Sequence, residues 1–188
     1  LQYAYGPVPS RRLGKSLGIN NIPAKICTYA CAYCQVGKTD KMPVERQAFY
    51  KPEDIFRNVK YLLDNARHKG EQVDFLTFVP DGEPTLDINL GREISMLKTL
   101  GVPVGVITNS SLIWRSDVRE ELNKADWVSL KIDTVDKAIW HRSNRPNRSL
   151  DLQKTLDGIL QFAGHNQGQL VTEMRLIRDH NISLPHID

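Results

Sequence analysis

Helical and β-strand patterns alternate along this chain, and that alternation restricts the possible folds more than any other feature of the sequence. Four amphipathic stretches have the spacing and end signals of helices, at residues 51–70, 90–100, 116–124 and 150–163. Five segments rich in β-branched residues lie before and between them, at residues 16–22, 73–79, 103–108, 127–133 and 169–177. Strands separated by helices form parallel βαβ units, so we predict an α/β fold with about five parallel strands.

The strand–helix units recur about every 25 residues, which is the size of one module of a (β/α) barrel. A doubly wound open sheet has the same rhythm, so the periodicity alone leaves both architectures open. In either architecture, ligands and catalytic groups gather at the carboxyl ends of the strands. Functional side chains are therefore expected in the loops that follow the strands.

The size and composition of the chain are those of one globular domain. It has 188 residues, of which 40% are hydrophobic and 25% are charged, so a core can form without disulfide bonds. No apolar run approaches the roughly 18 residues of a membrane span, and residues 1–14 lack the order of a secretory signal. We therefore expect a cytoplasmic protein with no membrane partner. The net charge of +3 permits a polyanionic partner, although a solvated basic surface explains it as well.

The three cysteines of the chain lie within eight consecutive positions, with the spacing C-x3-C-x2-C: Cys27, Cys31 and Cys34. An odd number of cysteines, grouped so closely in a chain without a secretory signal, indicates metal or redox chemistry. A structural zinc site has four ligands, and a thioredoxin-like pair would leave one cysteine over. Four-iron clusters are ordinarily held by four cysteines, so three thiolates would leave one iron open to another ligand. Buried cysteines that pack as small hydrophobic side chains, or a zinc site completed from elsewhere, remain as alternatives.

Polar residues follow two of the predicted strands. Gly82-Glu83-Pro84 comes after residues 73–79, where glycine and proline favour a tight bend and the acid can pair with a cation. Asn109 ends the next strand and can hydrogen-bond a ribose or a carboxylate. An acidic turn and a helix-capping turn are the corresponding structural explanations.

A third group of polar residues lies on one face of the fourth predicted strand, because side chains alternate along a strand. Ser129, Lys131 and Asp133 share this face. Burying them against the helix layer would be costly, so we predict that they point into the barrel. Asp133 could instead pair with Lys131 as a structural contact.

A loop predicted at residues 140–148 carries three guanidinium groups, those of Arg142, Arg145 and Arg148. Guanidinium groups suit phosphate or carboxylate recognition, so we predict a substrate-binding role, with a solvated loop as the alternative. Glu173 and Arg175 share a face of the last predicted strand. They could reach the pocket or form an ion pair inside the barrel, and we expect the ion pair.

The spacing C-x3-C-x-aromatic-C, with Tyr33 as the aromatic residue, resembles the signature of the radical S-adenosylmethionine (SAM) superfamily. The resemblance implies a partial (β/α)6-type TIM barrel whose three cysteines hold a 4Fe-4S cluster, with SAM chelating the fourth iron. It also places Tyr33 beside the adenine of SAM. Gly82-Glu83-Pro84 resembles the G-G-E-P element that receives the ammonium group of SAM, although Asp81 replaces its first glycine. Ser129 and Lys131 match positions that often bind the ribose and carboxylate.

Longer motifs are similar to an Fe-S oxidoreductase group of this superfamily that includes the tRNA wyosine-base synthases. They are GPVPSRRLGKSLGINNIPAKIC, QVGKT, VPDGEPTL and RSNRP. The archaeal wyosine synthases carry further cysteines for a second cluster, and this chain has only three. The superfamily barrel commonly has six strands and five are predicted here. Residues 1–188 are therefore interpreted as a radical SAM core domain that either stops before the sixth strand or is closed by another element.

The resemblance implies an oxidoreductase- or transferase-type enzyme in which Cys27, Cys31 and Cys34 are catalytic. The reduced cluster would cleave SAM to a 5′-deoxyadenosyl radical that abstracts hydrogen from a substrate. Its electron donor would be a reductase, a flavodoxin or a ferredoxin, and tRNA or a small phosphorylated molecule are the candidate substrates. A glycyl-radical activating enzyme and a non-enzymatic metal-binding module are the alternatives.

Overall fold

The computed structural model describes residues 2–182. Six strands are present: β1 (Ala4–Ser10), β2 (Gly14–Ile19), β3 (Phe75–Phe78), β4 (Val104–Thr108), β5 (Trp127–Lys131) and β6 (Gln169–Glu173). Five α-helices accompany them: α1 (Pro52–His68), α2 (Leu90–Lys98), α3 (Ser116–Leu122), α4 (Lys137–Ser143) and α5 (Leu152–His165). A short 3-10 turn follows β3 at Pro84–Leu86.

All six strands belong to one sheet, in the order β1-β2-β3-β4-β5-β6. Strands β2 to β6 pair in parallel, which confirms the predicted α/β fold and its five parallel strands. Each parallel strand lies next to its predecessor in the chain. A doubly wound sheet would reverse its strand order at a switch point, so the observed order agrees with the partial barrel.

Strand β1 was not predicted, and it pairs antiparallel with β2 as a hairpin. It contains Pro7 and Pro9, which cannot donate to a strand ladder and so argue against a strand. An edge position tolerates them, because only one side of an edge strand is paired. The sixth strand of this sheet thus lies at the amino-terminal edge.

Helix α4 corrects the prediction of a loop over residues 140–148, since its helical turns include Trp140–Ser143. The carboxylate of Asp136 caps this helix and accepts a hydrogen bond of 2.8 Å from the Ile139 N–H. Strand β6 ends at Glu173 rather than continuing to residue 177. Beyond it, the Arg175 N–H donates to the Asp133 carboxylate at 2.7 Å instead of to a strand.

The main core lies between the sheet and the helices that follow each strand. Helix α1 begins with Pro52 and ends before Gly70, which has φ +71°, as the sequence indicated. Four residues of its apolar stripe are buried, Ile55, Val59, Leu63 and Ala66, whereas Leu62 in the same stripe is partly buried. Within residues 2–182 no helix combines the length and the apolar character that a membrane crossing requires. Cytoplasmic location stays a prediction.

Candidate functional site

The loop between β2 and α1 carries the three cysteines and packs against the loop that follows β3. The Lys25 N–H donates to the Asp81 carbonyl at 2.7 Å, and the Glu83 N–H donates to the Ile26 carbonyl at 3.2 Å. A Cβ atom at Gly82 would lie 2.1 Å from the Ile26 oxygen, so this close approach requires glycine. The Gly82-Glu83-Pro84 turn therefore lies directly beside the cysteines.

Glu83 is fully buried, and its carboxylate joins the ends of β3 and β4. One oxygen accepts hydrogen bonds from the Thr85 hydroxyl and the Thr108 hydroxyl, both at 2.6 Å. The other accepts the backbone N–H of Asn109 at 2.7 Å. Burial raises the pKa of Glu83, whereas these hydrogen bonds act in the opposite direction. Binding of a SAM ammonium group by Glu83 stays a prediction.

Asn109 connects the end of β4 to the cysteine loop. Its side-chain N–H group donates to the Thr28 hydroxyl at 2.8 Å and to the Cys27 sulfur at 3.4 Å. Its side-chain oxygen accepts the Ser111 N–H at 2.9 Å. The Asn109 side chain therefore contacts one of the three cysteines in this structure.

Residues 143–147 hold the cysteine loop along its length, a role that the sequence did not predict. The Ala30 N–H donates to the Asn144 carbonyl at 3.1 Å, and the Ala32 N–H donates to the Ser143 carbonyl at 2.8 Å. The Asn147 N–H donates to the Thr28 carbonyl at 2.9 Å. The only sequence signal for this contact was the motif RSNRP, which is one of the motifs that carry the family resemblance.

The Asn144 side chain is the centre of a second buried group of polar residues. It is 3% exposed, and its N–H group lies 2.7 Å from the Asp133 carboxylate, 3.0 Å from the Tyr33 hydroxyl and 3.7 Å from the Cys31 sulfur. The Tyr33 hydroxyl in turn donates to Asp133. Sequence reasoning named Tyr33 and Asp133 but missed Asn144, since nothing in its local pattern marks it.

Two cations lie over the Tyr33 ring. The Lys131 ammonium group is 4.9 Å from the ring centroid, and the Arg175 guanidinium carbon is 5.7 Å from it. Lys131 also lies 3.6 Å from the Asp133 carboxylate, so the pairing considered for these two residues is present. Burial raises the pKa of the Tyr33 hydroxyl, with the negative charge of a Cys31 thiolate adding to it. The adenine contact of Tyr33 stays a prediction.

The expected ion pair of Glu173 with Arg175 is wrong. Glu173 pairs with Arg12 of the β1–β2 hairpin and accepts a hydrogen bond from the buried Ser129 hydroxyl. The physical reason is that β6 ends at Glu173, so the strand alternation does not carry on to Arg175. Ser129 is buried, and its hydroxyl is directed at Glu173.

The three predicted substrate arginines do not form one group. The Arg142 guanidinium donates to the His180 carbonyl at 2.6 Å. Arg145 and Arg148 instead line an open groove of about 530 Å³ with His141, beside Ala30 of the cysteine loop. Only two of the three arginines are thus placed together near the cysteines, and their substrate role stays a prediction.

The cysteines themselves form no disulfide; Cys27 and Cys31 are half-buried and Cys34 is exposed. Burial, followed by the charge of Glu83, raises the pKa of Cys27 to about 12, so a metal must displace its proton. No three His, Cys, Asp or Glu side chains of residues 2–182 converge on one metal ion. Thiolates that bind different irons of a cluster need not converge on one point, so this soft three-sulfur donor set fits an iron–sulfur cluster.

Known proteins resemble this chain along most of its length. The protein UPF0026 MJ1312 of Methanocaldococcus jannaschii is 53% identical over 174 residues, which are 93% of this chain and 54% of that protein. The chain therefore spans about half the length of this relative.

Solved structures share the fold. The structure of TYW1 with a lysine–pyruvate adduct bound has a TM-score of 0.63 at 17% identity, covering 88% of this chain and 57% of that one. Streptococcus suis SuiB bound to S-adenosylmethionine has a TM-score of 0.62 at 15% identity, covering 88% of this chain and 35% of that one.

The family model of the Radical SAM superfamily matches residues 21–183, a range that includes all three cysteines and the loops after β3, β4 and β5. Members of this superfamily are enzymes that bind SAM and an iron–sulfur cluster. With this match covering most of its length, the chain belongs to the radical SAM superfamily.

Proposed function

We propose that this chain binds a 4Fe-4S cluster through Cys27, Cys31 and Cys34 and cleaves SAM reductively. The observation that carries the proposal is the cysteine loop packed against the Gly82-Glu83-Pro84 turn and Asn109 at the carboxyl ends of β3 and β4. When bound and reduced, the cluster supplies the electron that breaks the S–C5′ bond of SAM to give a 5′-deoxyadenosyl radical.

The chain's own residues would fix the geometry of this reaction. Residues 143–147 and Asn109 hold the cysteine loop from two sides, which keeps the three thiolates in one arrangement. The half-buried positions of Cys27 and Cys31 keep water from two of the three ligands. Positioning and exclusion of water are the contributions that a protein makes to cofactor chemistry.

SAM would lie between the cysteines and the end of β5 in this proposal. Lys131 has a partly exposed side chain there, and its ammonium group suits the methionyl carboxylate of SAM. The ribose is proposed to lie next to Ser129, and the adenine next to Tyr33. The ammonium group is proposed to lie next to Glu83 and the turn around it. The buried Asp133 orients Lys131 and Tyr33.

The proposed substrate is anionic, either tRNA or a small phosphorylated molecule. Arg145, Arg148 and His141 line one groove beside the cysteine loop, and guanidinium groups bind phosphate well. The exposed Cys34 marks the side on which a flavodoxin, a ferredoxin or a reductase would deliver electrons.

Anaerobic reconstitution tests the proposed chemistry. We expect about four irons per chain, and release of 5′-deoxyadenosine when the protein is reduced with dithionite in the presence of SAM. Alanine substitution of each cysteine should abolish both signals, whereas Lys38→Ala, an exposed change in the same loop, should leave them unchanged. Zinc without iron, or a cluster that never cleaves SAM, would instead support the non-enzymatic metal-binding alternative.

Binding of bulk tRNA tests the substrate class. The double variant Arg145→Gln/Arg148→Gln is expected to bind tRNA more weakly than the parent and to show a smaller dependence of affinity on salt. Arg57→Gln, an exposed change on α1, is the control. Equal tRNA affinity in parent and double variant would eliminate RNA recognition by this groove, and a SAM-dependent radical on a protein partner would favour the glycyl-radical activating alternative.

A further inference from the structure

Two of the three cysteine sulfurs each lie beside a side-chain amide. The Asn109 nitrogen is 3.4 Å from the Cys27 sulfur, and the Asn144 nitrogen is 3.7 Å from the Cys31 sulfur. These distances suit N–H···S hydrogen bonds, since sulfur is larger than oxygen. The exposed Cys34 accepts no side-chain hydrogen bond from the part of the chain that the structure describes. The two half-buried cysteines therefore each have a neighbouring amide donor that Cys34 lacks within residues 2–182.

The orientation of each amide is fixed by its other contacts. The Asn109 oxygen accepts the Ser111 N–H at 2.9 Å, which leaves its nitrogen facing Cys27 and Thr28. The Asn144 nitrogen lies 2.7 Å from the Asp133 carboxylate. A flipped Asn144 amide would place its oxygen against that carboxylate, so the nitrogen must face this side.

Asn144 is also the better hydrogen-bond donor to Cys31. The Tyr33 hydroxyl lies close enough to this sulfur to affect its pKa, but its single hydrogen is directed at Asp133. Asn144 has two N–H hydrogens, one for Asp133 and one shared between the Tyr33 oxygen and Cys31. The 3% exposure of Asn144 keeps water from competing for its N–H hydrogens.

We propose that Asn109 and Asn144 are positioning residues that raise the reduction potential of the cluster by donating N–H···S hydrogen bonds to Cys27 and Cys31. This inference rests on the proposed function, because it requires a cluster on the three cysteines. Reduction adds negative charge to the cluster and its sulfurs, so a donor to a thiolate stabilises the reduced form more than the oxidised form. Removing either donor makes the cluster harder to reduce.

Redox titration followed by electron paramagnetic resonance tests this inference on the reconstituted protein without SAM. Asn109→Ala and Asn144→Ala are each expected to shift the reduction equilibrium about tenfold towards the oxidised form, a fall of about 59 mV for one electron. The double variant should fall further. Asn166→Ala is the control, because its amide donates at 2.6 Å to the Gly168 carbonyl after α5, away from the cysteine loop and from any sulfur. Its potential should equal that of the parent.

Potentials equal to the parent in both single variants would overturn the inference. Where an alanine variant holds no cluster, the leucine variant at that position is titrated instead, because leucine has nearly the shape of asparagine, carries no charge and lacks the donor. Cluster loss in both variants of one asparagine, with Asn166→Ala intact, would show that this amide builds the site rather than setting its potential, and would also overturn the inference. A parent chain that binds no iron contradicts the proposed function itself, before any variant is compared.

Discussion

Replacing Glu93 with glutamine is expected to change how the stability of this chain depends on pH. Glu93 is 1% exposed, and its carboxyl group faces that of the fully buried Asp87. With both groups ionised, three carboxylate oxygens lack a hydrogen-bond partner among the described residues. They are both oxygens of Glu93 and Oδ2 of Asp87. A proton on Glu93 supplies the missing donor, since the carboxylic acid can then hydrogen-bond to Asp87.

Burial, followed by the negative charge of Asp87, raises the pKa of Glu93 to about 9 in the folded chain. In the unfolded chain, a glutamate has a pKa of about 4.3. Between these values, the folded chain holds a proton that the unfolded chain has released. The stabilisation is therefore fully present below the unfolded pKa, and the free energy of unfolding falls by about 1.4 kcal/mol per pH unit as the pH rises towards the folded pKa.

Urea denaturation at pH 5.5, 6.5 and 7.5 measures this effect. Glutamine cannot titrate and can still donate an N–H to Asp87, so Glu93→Gln should gain about 3 kcal/mol relative to the parent across these two pH units. Glu120→Gln is the control, because Glu120 is exposed on α3 and its substitution should leave the difference flat. A difference between Glu93→Gln and the parent that does not vary with pH would refute the shared proton.

Three further substitutions test the packing around the site and in the core. Gly82→Ala is expected to reduce the iron bound per folded chain severalfold, because its Cβ would lie 2.1 Å from a backbone oxygen of the cysteine loop. Gly164→Ala is the control, because no atom from a neighbouring part of the described chain lies within 4 Å of the added Cβ. Full iron content in Gly82→Ala would contradict this reasoning. Arg46→Met should cost about 1–3 kcal/mol in urea denaturation, since it leaves the Glu121 carboxylate and the carbonyls of Thr85 and Asp87 without their donor. Phe162→Ala removes a side chain that is 1% exposed and should lower the free energy of unfolding by about 3–5 kcal/mol. Leu160→Ala on the same helix removes a side chain that is 72% exposed and should lower it by under about 1 kcal/mol. A loss of stability below about 1 kcal/mol at Arg46 or Phe162 would show that the site relaxes after substitution.

Local spacing was sufficient to predict the parallel strands, four of the five helices and the position of the cysteines. Strand and helix periods follow from backbone geometry, so a stripe such as that of α1 can be identified without any tertiary contact. The same holds for Cys27, Cys31 and Cys34, whose spacing within one loop already specifies a donor set. The order of parallel strands then brings the loops that follow them to one edge of the sheet.

The tertiary structure decided which groups those loops actually meet. Pro7 and Pro9 argue against a strand by local rules, and only the edge position beside β2 makes β1 possible. Glu173 pairs with Arg12 because the hairpin reaches β6, a contact that strand alternation cannot predict. Asn144 lies 113 positions from Cys31 in the chain, and no local pattern indicates that its amide faces that sulfur. The sequence by itself therefore determined the three-cysteine donor set, whereas the folded chain determined the hydrogen-bond donors around it, because donors from distant segments meet only after the barrel strands have paired.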